Sequence, residues 1–416
     1  MSKLIDQQKQ IQELVGDIKS ASWVSVDTEA NSMYAYPERV CLLQLSTEER
    51  DAIVDTLAKG LDLKSLFAVL RKKPLIMHGA DYDLRLLYKG YKFRPLEVFD
   101  TMLAAKLLGE PSCGLAQLCE AYMGVHLVKK HQKADWGKRP LPQELLSYAI
   151  KDSFYLHELK RRLEKRLIEE GKLEWHRQNC ERLIKDCTTP VKVDTAREWR
   201  LGGSENFSRR ELGLLRALWY WREAEAIRSN RPLFFIMRPD TMTTIARLAG
   251  SGKDFKKLVP RYSPERKSTF FKAVEEALQL PVRKLPLQLR REYSRFSPYQ
   301  QRQLEHLIQL RDQKARELDM EPTLIASRAD LVGCVRESDK CHLTEWQKEA
   351  LGFSYEEEKW VLPTPPVFVR QKRQRRRRPY RQASRAHGQN NSGNHAAPAS
   401  GKSPAPAPNP ESAPVK

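Results

Sequence analysis

The chain has 416 residues, 40% of them hydrophobic, and carries 73 lysines and arginines against 53 aspartates and glutamates, a formal net charge of +20. That length exceeds one ordinary core, so two or three domains are expected. The positive balance points to a polyanionic partner, nucleic acid first, and no stretch approaches the roughly 20 apolar residues of a membrane span. The opening MSKLIDQQKQIQELVGDIKS lacks the apolar run of a signal peptide. Seven cysteines, an odd number with no C-x-x-C pair, argue against a disulfide framework or a zinc site. Reduced thiols in a cytoplasmic protein are the expectation.

The first 170 residues alternate strand and helix patterns. WVSVDTE, RVCLLQLS, DAIVDT and PLIMH predict strands. LDLKSLFAVLRK, DYDLRLLYKG and the long run PQELLSYAIKDSFYLHELKRRLEKRL predict amphipathic helices. The first three strands lie close together, as in a meander, and the later elements alternate. The expected fold class is α/β, a mixed sheet with helices packed on it. After about residue 205 helices dominate: ELGLLRALWYWREAEAIRSN, then DTMTTIARLA and ERKSTFFKAVEEAL. A weak repeat follows, in which Trp221-Arg222, Ala226 and Pro232 recur as Leu310-Arg311, Ala315 and Pro322. Residues 364–416 hold prolines, nine unopposed basic residues between Arg370 and Arg385, and a Pro/Ala-rich end. That composition cannot bury a core and predicts a disordered basic tail.

Four acids in three segments stand out. Asp27 and Glu29 are two apart in a predicted strand, which puts both carboxylates on one face. Asp83 opens a helix after the strand PLIMH, with Asp81 as a competitor facing another way. Tyr148 and Asp152 are four apart on a predicted helix and share a face. Taken singly, each has an ordinary explanation: a solvated strand end, a helix cap, a core-edge tyrosine. Taken together, they form a set of hard oxygen ligands suited to Mg²⁺ or Mn²⁺, with charge to match two such ions. Two divalent cations roughly 4 Å apart activate an attacking water and stabilise the leaving 3′ oxygen of a phosphodiester. With a phenol pKa of about 10, Tyr148 is a poor general base and is expected to orient the water instead.

D-T-E, H-x4-D-L from His78 to Leu84, and Y-A-x-x-D resemble the motifs of the DEDD superfamily of 3′–5′ exonucleases. Tyrosine at Tyr148, with Ser147 at the alternative histidine position, fits its tyrosine branch. Tyr36-Pro37, Gln44, Asp100-Thr101, DWGKRPLP from Asp135 and WRLGG from Trp199 narrow the resemblance to ribonuclease D. The helix with Trp221-Arg222-Glu223, and the later PTLIASRADL, resemble the helicase-and-RNase-D C-terminal (HRDC) domains of that family. The likeness runs from residue 20 to about 352. It implies a ribonuclease H-like exonuclease domain over residues 1–190, an HRDC domain over 205–285 and a second HRDC-like helical domain over 290–355.

The resemblance also implies the metal ligands Asp27, Glu29, Asp83 and Asp152, with Tyr148 beside the water. Thr28 and His78 are candidate nucleotide contacts, and Arg139 is a candidate for holding a phosphate, with a scaffold role as its alternative. The expected activity is metal-dependent 3′–5′ exoribonuclease action releasing nucleoside 5′-monophosphates, with RNA, transfer RNA precursors among it, as partner. The alternatives are a DNA 3′–5′ exonuclease, against which stands the absence of helicase motifs, and a non-catalytic RNA-binding protein, against which stand the intact acids.

Overall fold

The computed structural model describes residues 3–127, 131–190, 194–289, 296–337, 341–356 and 358–365. The chain divides into two compact units, Met1–Pro366 and Val367–Lys416. The second unit, and with it the predicted basic tail beyond Pro365, lies outside the described residues.

The first unit begins with β1 (Lys3–Ile5), α1 (Gln8–Ser20), β2 (Val24–Ala30), β3 (Val40–Ser46), β4 (Asp51–Asp55), α2 (Lys64–Leu70) and β5 (Pro74–Met77). It continues through α3 (Asp81–Tyr91), β6 (Glu97–Asp100), α4 (Thr101–Leu107), α5 (Leu115–Met123), α6 (Gln143–Phe154), α7 (Leu156–Glu169) and α8 (Leu173–Thr188). The six strands form one mixed sheet in the order β1-β4-β3-β2-β5-β6. β3 runs antiparallel to both β2 and β4, while β1–β4, β2–β5 and β5–β6 are parallel. The expected mixed sheet is present. β1 and β6, three and four residues long, are too short to show as alternation.

The two sheet faces carry different chemistry. Val24, Val26, Leu43, Leu45, Ala52 and Val54 point into an apolar core shared with α1, α2 and α3. The opposite face carries Asp27 and Glu29 on β2, and α6 crosses it, contacting β2, β3 and β4. The long helix predicted over 142–167 is two helices: α6 ends at Phe154 and α7 starts at Leu156. Each half has its own packing target. α6 covers the sheet, whereas α7 buries Leu159, Leu163 and Leu167 against Phe99, Ala104, Ala105 and Leu118.

The helical region follows as α9 (Arg209–Ser229), α10 (Leu233–Ile236), α11 (Pro239–Gly250), α12 (Pro264–Gln279), α13 (Pro298–Glu317), α14 (Pro322–Ile325), α15 (Arg328–Arg336) and α16 (Glu345–Ala350). A small hairpin, β7 (Ser354–Glu356) and β8 (Lys359–Val361), ends it. The weak repeat corresponds to a repeated structure: a long helix, a four-residue helix and a third helix, in α9–α11 and again in α13–α15. Both long helices start with a serine capping box, Ser208 with Glu211 and Ser297 with Gln300. The first copy has its own core around Leu214, Leu218, Trp221 and Phe270. The second shares a core with α4, α5 and α7.

Reduced thiols do not describe all seven cysteines. Cys334 and Cys341 form a disulfide, their Cα atoms 4.3 Å apart, while Cys41, Cys113, Cys119, Cys180 and Cys187 are free. A seven-residue spacing matches no metal or framework pattern, so the pairing is not legible in the sequence. Among the described residues, no helix is long and apolar enough to cross a membrane.

Candidate active site

β2 presents Asp27 and Glu29 on the face that α6 covers, and its register against β3 shifts between Glu29 and Ala30. Such a bulge re-aims the side chains beside it. On α6, Tyr148 and Asp152 arrive one helical turn apart on the inner side, both facing the carboxylates of β2. Carboxylate oxygens of Asp27, Glu29 and Asp152 all lie within 4.8 Å of one another. These three residues, with Thr28, His78 and Tyr148, line a cavity of about 350 Å³.

Asp83 sits in the first turn of α3, where backbone N–H groups favour a carboxylate. It is buried and accepts a hydrogen bond from the Thr28 hydroxyl. The loop that delivers it is held by Asp100 at the N-terminus of α4. Asp100 Oδ1 accepts from Gly79 N at 3.0 Å and Met102 N at 2.8 Å, and Oδ2 accepts from Ala80 N at 2.8 Å. Asp81 faces elsewhere: Arg85 grips both its oxygens at 3.0 and 2.9 Å, and the Cys187 thiol donates to it at 3.3 Å. The competitor is thus engaged outside the cluster.

The electrostatics of the cluster are unfavourable without a cation. Burial, then the charges of Asp83, Asp152 and Glu29, raises Asp27 well above the carboxylate range. Burial, then Asp152 and Asp83, pushes Glu29 up to about 9. Burial pushes Asp83 and Asp152 each up to about 6. Burial and the neighbouring carboxylates also raise the Tyr148 phenol, which keeps it protonated and leaves almost no phenolate to act as a base. Converging oxygen donors that repel one another are the donor set of a hard divalent cation.

The remaining candidates separate. Thr28 and His78 are at the cavity. His78 Nδ1 lies 2.9 Å from Thr101 Oγ1, whose own hydrogen goes to the Met77 carbonyl, leaving Nε2 buried without a partner among the described residues. Arg139 is not at the cavity. Its guanidinium bonds Asp55 through Nε and Nη2 at 2.6 Å each, the Trp136 and Lys138 carbonyls at 2.7 Å, and the Cys41 carbonyl at 3.1 Å. Those contacts use all five guanidinium donors, so the phosphate role gives way to the scaffold role. Trp136 is likewise core, 1% exposed, and Trp221 is buried with its Nε1 donating to Thr269.

Sequence reasoning missed Gln132, which lines the cavity with Tyr148, and the cavity walls Met102, Gly114 and Leu127. None belongs to a charged motif, and only the folded loop brings them to the carboxylates. Gln44 was noticed only through resemblance. It lies opposite Asp27 in the ladder, fully buried, with both amide atoms unpartnered among the described residues.

Comparison with known proteins agrees with this arrangement. Residues 3–168 match the family model described as a 3′-5′ exonuclease, and residues 211–253 match the HRDC domain model. Ribonuclease D of Gluconacetobacter diazotrophicus is 31% identical over 350 residues, spanning 82% of this chain and 88% of that protein. The solved catalytic core of RRP6 from Trypanosoma brucei superposes with a TM-score of 0.56 at 26% identity, over 67% of this chain and 80% of that one. Escherichia coli RNase D shares the fold, with a TM-score of 0.65 at 23% identity over 81% and 90% of the two chains. This chain therefore belongs to the ribonuclease D family and is a 3′–5′ exoribonuclease.

Proposed function

We propose that Asp27, Glu29, Asp83 and Asp152 bind two divalent cations, Mg²⁺ or Mn²⁺, and that the enzyme trims the 3′ ends of structured RNAs such as transfer RNA precursors. The observation that carries the ligand assignment is the convergence of Asp27, Glu29 and Asp152 within 4.8 Å, with buried Asp83 behind Thr28. When bound, such a pair supplies charge stabilisation to the attacking water and to the departing 3′ oxygen.

The protein's own groups do the positioning. Tyr148 lines the cavity one turn from Asp152 with its phenol held protonated, so it aligns a water for in-line attack and does not remove the proton. Thr28 fixes the Asp83 carboxylate. Met102, Leu115 and Leu127 give the cavity an apolar side, against which the terminal nucleotide is expected to pack.

A 5′-labelled RNA should shorten stepwise from its 3′ end in Mg²⁺ or Mn²⁺ and stay intact in chelator. Asp83→Asn and Asp152→Asn should each remove this activity while RNA binding persists. Full activity in either variant would sink the ligand assignment. A transfer RNA with extra 3′ nucleotides, competed against an unstructured RNA of equal length and against DNA, tests the substrate reading; no preference would refute it.

A further inference from the structure

A second cavity, of about 920 Å³, opens at the far end of the helix that carries Asp83. Asp83 and Tyr91 are eight residues apart on α3, which separates the two sites by about 12 Å along its axis. Four cations rim this groove: Lys64, Arg71, Lys92 and Arg94, all exposed. Among the described residues, none of the four has a carboxylate within ion-pair distance. The single acid of the lining, Asp62, already caps α2 by accepting from Lys64 N at 2.9 Å. The floor is aromatic. Tyr91 packs on Phe67 with ring centroids 4.6 Å apart, and Lys92 Nζ lies 5.1 Å over the Tyr88 ring.

The groove also leads back toward the carboxylates. A smaller cavity of about 330 Å³ shares Thr56, Gly90 and Tyr91 with it and adds Arg39 and the ion pair of Lys89 with Glu38, at 3.4 Å. Arg39 directly precedes Val40, the ladder partner of Ala30, and Ala30 follows Glu29. Arg39 thus stands between the end of the catalytic strand and the groove. Unopposed cations over half-buried tyrosines are the chemistry of a single-stranded nucleic-acid track, where phosphates meet the charges and bases stack on the rings.

We infer that this groove is an RNA exosite, which holds the single-stranded segment upstream of the nucleotide being removed. The inference rests on the RNA 3′ end lying at the carboxylate cluster. It assigns to the exonuclease domain itself a share of substrate binding separate from its helical modules.

The test uses the full chain with Arg71→Gln, Lys92→Asn and Arg94→Gln combined. Asparagine suits Lys92, whose φ of 54° is left-handed. RNA retention is measured in chelator across a salt series, so the result does not depend on metal or cleavage. Affinity for a 30-nucleotide RNA should fall, and its log–log salt slope should shrink by about 2, from three lost contacts at about 0.7 each. With metal, turnover of a dinucleotide should be unchanged, while kcat/KM on the long RNA should drop about tenfold through KM. The charge-keeping triple variant Arg71→Lys, Lys92→Arg, Arg94→Lys should retain the original slope. An unchanged slope in the neutral triple, or equal loss in both triples, would overturn the exosite. The first of these would leave the cations to a different partner, an acidic protein surface, and the second would show mere damage to the fold. Failure of cleavage in the parent chain, with these binding results intact, would instead count against the catalytic assignment.

Discussion

The acids of the site pay a visible electrostatic penalty. Burial pushes Asp83 and Asp152 up to about 6 and, with the neighbouring charges, Glu29 up to about 9, against ordinary values of about 4. Raised folded values mean that the native state holds these protons more tightly than the unfolded chain. Their contribution to stability is complete below about pH 4, and it is lost as pH rises through 6 and on toward 9. A cation replaces the protons. The thermal shift produced by Mn²⁺ should therefore be small at pH 5 and large at pH 7.5, read as melting temperature with metal and with chelator. Equal shifts at both values would contradict the ligand set. At this scale the sequence was informative where chemistry follows local spacing. D-x-E on a strand and Y-x3-D on a helix dictate shared faces, and both are found. It was silent on Gln132 and Met102, which reach the cavity only through tertiary folding. It left Arg139 open, because a guanidinium's partners depend on what the sheet puts opposite.

That arginine matters most as a fastener between elements. It clamps the loop before α6 to the end of β4, through a carboxylate only 7% exposed, and to the Cys41 carbonyl on β3. The site depends on α6 lying correctly across the sheet, since α6 supplies Tyr148 and Asp152. Arg139→Ala leaves Asp55 buried without its partner, a loss of about 3 to 5 kcal/mol. The urea midpoint should fall accordingly, while the KM of whatever folded fraction remains should stay near the parent value. A normal midpoint with a raised KM would restore the phosphate-holding role. Element prediction succeeded where periodicity ran for two turns or more, as in α3, α9 and α12. It joined α6 to α7, because hydrophobic spacing continues across Tyr155 although the two halves pack on different partners. It also missed the Cys334–Cys341 bridge, whose seven-residue spacing matches no metal or framework pattern.

Across the whole molecule, positive charge is distributed unequally. The stretch from Arg370 to Arg385 contributes nine of the net twenty charges and lies outside the described residues. Deleting residues 364–416 should weaken RNA binding and flatten its salt dependence, with dinucleotide turnover intact. An unchanged slope in a filter-binding series would show that the run is only solvated. The helical modules are attached differently from each other. The second is stapled to α8 by the Trp175–Trp346 stack, with centroids 4.8 Å apart, and by Arg182 to Asp330 at 2.8 Å. The first is attached through Tyr36, which packs against its core, donates its hydroxyl to Glu223 and donates its backbone N–H to Asn230 Oδ1.

That tyrosine lies seven residues beyond Glu29, on the loop leaving the catalytic strand. A residue of the nuclease thus packs, half-buried, against its neighbour's core. The helical module is consequently part of the scaffold on which the carboxylates are mounted, and not a detachable handle for substrate. Selection acting on either surface of that joint acts on both. Exchange of the module between related enzymes would therefore have to carry a matching loop with it.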